Sequence, residues 1–519
     1  MTESSGLLQE DPQETIFDLI NRRAAETPSA IYLMDPETGD ATTFADLKQQ
    51  VSAVAVNIRA QGIRPGDSVA YALTNSPKTA ILILGIVYGG YLATAINLVA
   101  GSETIAYVVE HSETSLILAD EAGKSILEKA LHQLDGTPPI LVPDSHFFAA
   151  VEGEIPARQT DEILGLLMYT SGTTGQPKGV LLSHGNLISG GRNTAQAHRL
   201  AATDCGLCIL PLYHINGLCV SVLGTLVSGG SLVIPPKFSV TTFWALIEQY
   251  RCTWFSVVPT QISYLLHDEA SLPSPAVLTT LRFCRSASAP LSPEVQTAFE
   301  NRFGIPIVET MGLTETAAQI LSNPLPPGIR KIGSAGMGFG NEIRIGDIKQ
   351  QEMARGDEGE VLVRGPNVMQ RYLKNKTATS EALTADGWLR SGDLGRMDAD
   401  GYVFITGRLK ELIIKGGENI APREIDEALY GHPDIVEAAA FSIKCARYGE
   451  TVEAAVMRCE GSSVTEDELI EMCKSRIGAF KAPDRIHFLT ELPKGPSGKI
   501  QRIKIAELVA NKTPPKNSL

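Results

Sequence analysis

The chain has 519 residues, of which 43% are hydrophobic and 20% are charged, a composition typical of a soluble α/β protein with more than one core. Its net charge of −14, from 45 basic and 59 acidic residues, disfavours non-specific binding to nucleic acids and anionic membranes, so neither is expected as a partner. The first residues are polar without a signal-peptide pattern, and the eight cysteines are scattered. A cytoplasmic protein is therefore expected.

Short apolar runs alternate with amphipathic stretches along most of the chain. Ile16, Leu19 and Ile20 share one helical face, whereas residues 67–73 and 231–236 are typical of strands. Regular alternation of strands and helices indicates parallel sheets that are covered by helices. The sequence therefore predicts an α/β fold whose large N-terminal domain contains parallel-rich sheets sandwiched by helices.

Two apolar segments resemble a membrane span and a metal site. Residues 80–100 are strongly apolar, but the central pair Gly89-Gly90 favours a buried helix, a glycine break and a buried strand. Cys205 and Cys208 form a CxxC pair with no second pair at zinc-binding spacing, so two core thiols are expected.

The pattern of charged and apolar residues changes in the segment GYVFITGRLKELIIKGGEN, where charged residues separate two short apolar runs. Pro422 then begins an amphipathic helix, and Thr465 with Glu468 forms a capping-box pattern ahead of another helix. These elements predict a smaller α+β domain. The predicted boundary divides the chain into a large domain, residues 1–408, and a small domain, residues 409–519.

A loop rich in glycine and hydroxyl residues follows the apolar run of residues 163–168. Residues 170–179 (TSGTTGQPKG) can surround a polyphosphate with backbone N–H groups, hydroxyls and one lysine, although a simple turn has a similar composition. Lys178 is followed by glycine instead of serine or threonine, so the loop is not a Walker A motif. The candidate phosphate ligands are Thr170, Ser171, Gly172, Thr173, Thr174, Gly175 and Lys178.

This loop and further motifs in the same order resemble the adenylate-forming superfamily, which includes acyl-CoA synthetases, luciferases and peptide-synthetase adenylation domains. The further motifs are residues 211–216 (PLYHIN), 311–315 (MGLTE), 391–395 (SGDLG), 407–410 (GRLK) followed by 416–419 (GGEN), and 493–499 (PKGPSGK). The resemblance covers almost the whole chain. It implies an acid–thiol ligase that forms acyl-AMP and pyrophosphate from ATP and a carboxylic acid, and then transfers the acyl group to coenzyme A.

The resemblance implies a role for each motif in these two steps. Lys499 would bridge the carboxylate and the α-phosphate, Glu315 would hold Mg²⁺, and Asp393 and Arg408 would bind the ribose. Taken singly, each of these residues is equally compatible with a turn or a solvated surface. Lys410 occupies the hinge position, about which the small domain would rotate as a mobile lid between the two steps.

The same resemblance assigns further residues to coenzyme A and to the nucleotide. Gly416, Gly417 and Glu418 would line a tunnel for the pantetheine arm after the rotation, since missing side chains leave room there. Met311 replaces the tyrosine that stacks on adenine in the family, and its thioether can still cover a ring face. The remaining candidate nucleotide contacts are Ser288, Glu309, Thr310, Gly312 and Thr314, and the further candidate catalytic residues are Thr170 and His214.

The acid is expected to be small and to carry a second polar or anionic group. Hydrogen-bond donors stand in the candidate acyl pocket where typical fatty-acid and aryl ligases carry glycine and apolar residues. The candidate pocket residues are His214, Asn216, Arg285, Ser286, Ser288, Gly312 and Ala318, with the rest of residues 316–319. The alternative is that Arg285 faces away from the pocket and pairs with a backbone group or a carboxylate elsewhere.

Residues 241–260, 281–289 and 322–326 resemble oxalyl-CoA synthetases in particular, and sulfoacetate–CoA ligases are similar. Oxalyl-CoA synthetases carry a histidine where this chain has Ala318, which favours sulfoacetate over oxalate. Another short-chain carboxylic acid is a further alternative as the substrate. An enzyme that loads a carrier protein belongs to a different class and would be expected beside a carrier domain. A monomer or a homodimer is expected.

Overall fold

The structure is a computed structural model that describes residues 13–134, 136–151, 153, 160–170, 176–445, 447–495 and 498–512. Within these residues the strands form four sheets, and the first of two large ones has parallel strands at its centre and antiparallel strands at both edges. In spatial order its strands are Met337–Gly338, Ala318–Ser322, Ile307–Leu313, Phe283–Ser286, Trp254–Val257, Cys205–Cys208, Ser231–Val233, Ile31–Met34 and Ala41–Thr43.

The second large sheet is parallel over most of its width and antiparallel at the edge that carries the candidate phosphate loop. In spatial order its strands are Arg371–Tyr372, Lys178–Ser183, Leu164–Thr170, Leu92–Ala95, Ser68–Ala72, Leu116–Ala119 and Ile140–Leu141. The predicted α/β fold with parallel-rich sheets is confirmed.

The other two sheets are smaller and mainly antiparallel. The first comprises Glu342–Gly346, Glu358–Arg364, Leu389–Met397 and Val403–Arg408. The second belongs to the C-terminal part of the chain and comprises Glu418–Ile420, Ile413–Lys415, Gly449–Arg458, Ile435–Cys445 and Arg485–Phe488. The chain therefore changes from one sheet to the next between Arg408 and Ile413.

Helices cover the sheets, and many begin at a serine, threonine or asparagine whose side chain accepts a hydrogen bond from the first turn. The described α-helices are Ile16–Glu26, Phe44–Ala60, Pro77–Tyr88, Ser102–His111, Glu121–Leu131, His184–Ala197, Gly224–Ser228, Val240–Tyr250, Pro259–His267, Pro275–Thr280, Pro293–Phe303, Lys376–Ala382, Pro422–Tyr430, Glu466–Ile477 and Arg502–Lys512. Ser145–Phe148 and Thr314–Thr316 form 3-10 turns, and Asn216–Leu223 forms a π-helix.

The predicted helix from Pro422 and the predicted capping box at Thr465 and Glu468 are both confirmed. Residues 80–100 form the end of a buried helix, a glycine break and a buried strand, as the sequence predicts. None of the helices in the described ranges is long and apolar enough to cross a membrane. Cys205 and Cys208 lie buried at the two ends of one strand.

The carboxyl ends of the central parallel strands meet at one edge of the first large sheet. Trp254–Val257, Phe283–Ser286 and Ile307–Leu313 run side by side in register there. Ligands of open parallel sheets bind at this edge, because the loops after neighbouring strands diverge and leave a crevice. The strand order therefore places the candidate pocket residues of different motifs next to each other.

Candidate active site

A cleft of about 820 Å³, counting the part open to solvent, lies between the first large sheet, the small sheet that ends at Arg408 and the C-terminal part of the chain. This volume is in the range of small-molecule sites. Its lining combines candidate residues from several motifs with cationic groups of the C-terminal part. The lining residues include Ser288, Glu309, Met311, Gly312, Asp393, Arg408, Glu411, Arg423, Lys499 and Arg502.

The candidate phosphate loop connects two antiparallel strands of the second large sheet. Thr170 ends the first strand and pairs in register with Lys178, which begins the second. The five candidate ligands between them, Ser171, Gly172, Thr173, Thr174 and Gly175, lie outside the described residues. The strand pairing holds Thr170 and Lys178 at the base of the loop, since register fixes which residues face each other.

Lys178 and Glu315 meet at one aromatic ring. The ammonium of Lys178 lies over the Tyr372 ring, 4.4 Å from its centre, and the Tyr372 hydroxyl donates to Glu315 Oε1 at 2.8 Å. The other carboxylate oxygen of Glu315 makes no hydrogen bond within the described residues. The cation and the carboxylate are thus held at the same end of the site without neutralising each other directly.

Asp393 and Arg408 form a close ion pair in the cleft. The two residues are opposite each other on neighbouring antiparallel strands, and Arg408 Nε donates to Asp393 Oδ1 at 2.9 Å. Lys499 lines the same cleft, with its ammonium 3.7 Å from Glu411 Oε1. Burial, and then the nearby Arg408, lower the pKa of Lys499.

Glu309 and Met311 form another wall of the cleft. Glu309 is 4% exposed and accepts a hydrogen bond from the backbone of Leu291 at 3.3 Å, while its second oxygen has no partner within the described residues. Burial raises the pKa of Glu309 to about 7. Thr310 is buried between them, and its hydroxyl donates to the carbonyl of Ser286 at 3.2 Å.

Arg285 is a buried cation without a carboxylate partner. It is 1% exposed, and its guanidinium donates to Gln319 Oε1 at 3.3 Å, Asn216 Oδ1 at 2.9 Å and Ser256 Oγ at 3.1 Å. No carboxylate of the described residues lies within ion-pair distance. Burial lowers the pKa of Arg285 to about 9, so the group stays charged near neutral pH.

Asn216 connects Arg285 to the cleft. Its side-chain amide donates to Ser288 Oγ at 3.1 Å, and Ser288 lines the cleft. Ser288 has a φ of +73°, a conformation that costs a non-glycine residue about 1 kcal/mol or more and is common at functional sites. Arg285 itself is linked to the cleft wall through Asn216, and its partners within the described residues are neutral side chains, neither a carboxylate nor a backbone group.

Ser286 and His214 each have a buried polar atom without a hydrogen-bond partner in the described residues. Ser286 is completely buried, and its hydroxyl has no partner within the described residues. His214 Nε2 is likewise buried without a partner, and burial lowers the pKa of His214 to about 4. His214 is therefore neutral at physiological pH.

Gly312 and Ala318 lie on two neighbouring antiparallel strands. A side chain on Gly312 would place its Cβ only 2.0 Å from the carbonyl oxygen of Ala318, so only glycine fits there. Ala318 is 3% exposed, and the following Gln319 points to Arg285. Thr314 begins the short 3-10 turn that leads from Gly312 to Glu315.

The candidate coenzyme A residues are not part of the cleft. Gly416 and Gly417, with φ of +61° and +89°, form an exposed turn that leads into Glu418, at the edge of the C-terminal sheet. Lys410 is exposed in the turn that connects Val403–Arg408 to Ile413–Lys415. The nucleotide candidates and the coenzyme A candidates are thus on different surfaces in this arrangement.

Sequence reasoning missed several residues that contact the site, including Tyr372, Arg423 and Arg502. Glu411 faces Lys499 and Arg502, Ser256 contacts Arg285, and the buried His198 donates from Nε2 to Gln319 Oε1 at 3.0 Å. Ser256 had a usable signal, because it is a polar residue in the middle of the apolar run WFSV. His198 lies far from every motif, and only the fold brings it to this position.

The comparisons with known proteins agree over most of the chain. The family model of AMP-binding enzymes matches residues 20–373, and that of their C-terminal domain matches residues 424–499. The chain is 44% identical to a sulfoacetate–CoA ligase of Cupriavidus necator, over 95% of this chain and 97% of that protein. It is 36% identical to an oxalate–CoA ligase of Arabidopsis thaliana, over 86% and 89% of the two chains.

Among solved structures, the fold is similar to that of ATP-bound MatB from Rhodopseudomonas palustris. The TM-score is 0.86 at 29% identity, and the match covers 96% of this chain and 100% of that chain. Family models match both parts of the chain, and the sulfoacetate–CoA ligase relative is covered over 97% of its own length. The chain therefore belongs to the AMP-binding enzymes, the adenylate-forming superfamily, and is an AMP-forming acyl-CoA synthetase.

Proposed function

We propose that this ligase activates a short acid with a second anionic group, with sulfoacetate ahead of oxalate. The observation that carries the proposal is Arg285, a buried guanidinium whose partners within the described residues are all neutral. A buried charge without a counter-charge is costly, and a substrate anion next to Ser288 would supply that counter-charge across Asn216. A neutral aliphatic or aryl tail would not.

In the first step, an oxygen of the substrate carboxylate attacks the α-phosphorus of ATP, and pyrophosphate leaves. Both reactants are anions, so the reaction needs cations that neutralise the charge at the point of attack. Lys499 is suited to this role because it is held in the cleft beside the paired Asp393 and Arg408. Asp393 would accept the ribose hydroxyls, with Arg408 orienting it.

The phosphates would lie at the end of the site that holds Thr170, Lys178 and Glu315. Mg²⁺ commonly uses one or two protein carboxylates together with substrate phosphates, and Glu315 has one carboxylate oxygen without a hydrogen bond in the described part of the chain. These residues therefore fit a Mg²⁺–ATP complex. The metal would neutralise phosphate charge, while Thr170 and Lys178 orient the phosphates at the base of the loop.

The nucleoside would occupy the wall formed by Glu309, Thr310 and Met311, next to Gly312. Met311 would cover the adenine ring in place of the family tyrosine. On the acyl side, His214 is neutral, so it can donate a hydrogen bond to the reacting carboxylate without neutralising the carboxylate's negative charge. Ser286 and Ser288 would add hydroxyl donors near the second anionic group.

In the second step, the thiol of coenzyme A attacks the acyl carbon, and AMP leaves. We propose that residues 409–519 rotate about Lys410 for this step, with the domain boundary at residue 408. The rotation would withdraw Lys499 and bring the exposed turn of Gly416, Gly417 and Glu418 to the cleft. The separation of these residues from the cleft in the present arrangement supports two arrangements of the chain.

Oxalate is the second candidate, since relatives of both specificities cover nearly the whole chain. Ala318 favours sulfoacetate, because a histidine at this position would provide an additional donor close to a very short acid. The uncharged surroundings of Arg285 favour a substrate whose second anion reaches Ser288, and sulfoacetate is one atom longer than oxalate.

The test is a pyrophosphate-release screen with ATP, Mg²⁺ and coenzyme A. We expect the highest kcat/KM for sulfoacetate, then oxalate and other short dianions, and little activity with acetate or propionate. Chelation of Mg²⁺ should abolish activity with every acid. A preference for octanoate or coumarate would show that the assignment of the acyl pocket is wrong.

A further inference from the structure

A buried contact between the two parts of the chain fixes the position of the segment that carries Lys499. Tyr264 lies in the helix Pro259–His267, and its hydroxyl donates to Glu437 Oε1 at 2.9 Å. Glu437 lies in the C-terminal sheet and is 0% exposed. Its other oxygen is 2.9 Å from the ammonium of Lys494, which also lies 5.5 Å from the centre of the Tyr264 ring.

Two more hydrogen bonds join the same helix to the C-terminal part. The Ser263 hydroxyl donates to the carbonyl of Val436 at 2.7 Å, and the Thr260 hydroxyl donates to the carbonyl of Gly498 at 3.3 Å. By contrast, Glu294 and Arg476 are an exposed pair 3.8 Å apart, which contributes little. The Arg423 guanidinium also donates to the carbonyl of Ile405, close to the hinge position. Away from the hinge position, the helix Pro259–His267 is therefore a principal polar anchor for this arrangement within the described residues.

Lys494 is coupled to Lys499 by backbone pairing. Lys494 forms an antiparallel bridge with Ile500, and the Gly495 N–H donates to the carbonyl of Lys499 at 2.7 Å. Fixing Lys494 on Glu437 therefore fixes the paired backbone that holds Lys499 in the cleft. A rotation of the C-terminal part would separate Glu437 and Lys494 from Tyr264 and break all of these contacts together.

We propose that Tyr264 and Glu437 are positioning residues for Lys499 and that their contact with Lys494 selects the adenylate-forming arrangement. The proposal rests on the two-step reaction proposed above. The buried carboxylate needs both of its partners, because leaving it unpaired in the interface is unfavourable. Loss of the Tyr264 hydroxyl therefore weakens the arrangement that serves the first step and leaves the second arrangement untouched.

The experiment compares the two half-reactions in Tyr264→Phe. Adenylate formation is measured by single-turnover pyrophosphate release, and thioester formation is measured from supplied acyl-AMP and coenzyme A. We expect the first to fall about tenfold or more, as for the loss of a hydrogen bond to a charged group, and the second not to be slowed. Lys494→Met should show the same selective loss. This second variant keeps the test valid if Tyr264→Phe impairs folding.

Tyr91→Phe is the matched control, since it removes a buried tyrosine hydroxyl that donates to the carbonyl of Ala55 within the N-terminal part. It should change neither half-reaction. Equal slowing of both steps by Tyr264→Phe, or no change in either, would overturn the proposal.

If the wild-type protein released no pyrophosphate with any acid, the proposed function would fail instead. The contact is then tested without turnover, by energy transfer between dyes on the two parts of the chain. Tyr264→Phe should shift the distribution towards larger separations, and an unchanged distribution would overturn the inference.

Discussion

Buried charge lies on two sides of the cleft and is balanced differently on each. On the nucleotide side, Arg408 pairs with Asp393, and Arg502 of the C-terminal part pairs with Asp426. On the acyl side, Arg285 contacts only neutral groups of the described residues. Paired charges are neutralised within the protein, whereas an unpaired buried cation is best stabilised by an anion that arrives with the substrate. The charges on the nucleotide side are thus balanced before the substrates bind. The charge on the acyl side is balanced only when the substrate anion binds.

The largest effect is expected from Lys499→Ala, which removes a cation from the paired side. Glu411 keeps Arg502 as a partner at 3.5 Å, so the fold should persist. Adenylate formation should slow by at least about a hundredfold, because a charge that stabilises the transition state is lost. Thioester formation from supplied acyl-AMP should change by less than about threefold, since Lys499 would be withdrawn in that step. Rapid-quench measurement of each half-reaction checks both values.

Lys481→Ala is the matched control for this variant. Lys481 is a lysine of the same C-terminal part, paired with Glu424 at 2.8 Å and absent from the cleft. Both half-reactions should keep their wild-type rates. An equal loss of both steps in Lys499→Ala would contradict the two arrangements.

A smaller effect, on specificity, is expected from Arg285→Met on the unpaired side. The ratio of kcat/KM for sulfoacetate to that for propionate should fall by about thirtyfold, because the anion loses its buried counter-charge. The melting temperature should not fall markedly, since no carboxylate loses a partner. Steady-state kinetics with the two acids, together with thermal unfolding, measure these quantities.

Arg282→Met is the matched control on the same stretch of chain. Arg282 pairs with Asp204 and donates to the carbonyls of His198 and Arg199. Its removal should lower stability and leave the ratio between the two acids unchanged. If Arg282→Met and Arg285→Met altered the ratio equally, an unpaired charge would not be the cause.

The smallest effect concerns His198, which is completely buried behind Arg285. Burial, and then the charge of Arg285, lower the pKa of His198 to about 3. Below the unfolded value near 6.5 the unfolded chain takes up a proton that the folded chain refuses, so stability falls as the pH falls. His198→Gln should reduce the loss of unfolding free energy between about pH 7.5 and about pH 5.5 by about 1 kcal/mol.

Urea unfolding of both proteins at the two pH values measures this difference. Above about pH 7.5 neither state of His198 binds a proton, so the two proteins should respond equally to a further rise in pH. Parallel losses on the acid side would show that His198 is not a source of the acid sensitivity.

Much of the fold and the outline of the site could be predicted from the sequence. The buried helix and strand within residues 80–100 follow from apolar runs separated by glycine, and the capping box at Thr465 follows from local spacing. The motifs of Asp393, Arg408 and Lys499 predicted residues that the structure brings to one cleft. Their functional roles remain predictions that the half-reaction measurements test.

The position of Arg285 could not be predicted in the same way. Its partners Ser256, Asn216 and Gln319 come from a neighbouring parallel strand, a π-helix and an antiparallel strand, respectively. Whether an arginine faces a pocket, a carboxylate or neutral amides depends on which distant segments pack around it. The contact of Tyr264 with Glu437 is of the same kind, since 173 positions separate the two residues.

The sequence by itself determined the family, the α/β fold and the residue types available for adenylate chemistry, because each motif is a short segment whose spacing is fixed locally. Only the tertiary structure decided how charge is balanced around those motifs. It paired Arg408 with Asp393 and left Arg285 among neutral groups one residue behind the cleft wall. Burial and pairing are properties of segments far apart in the chain, and they set the cost of each charge.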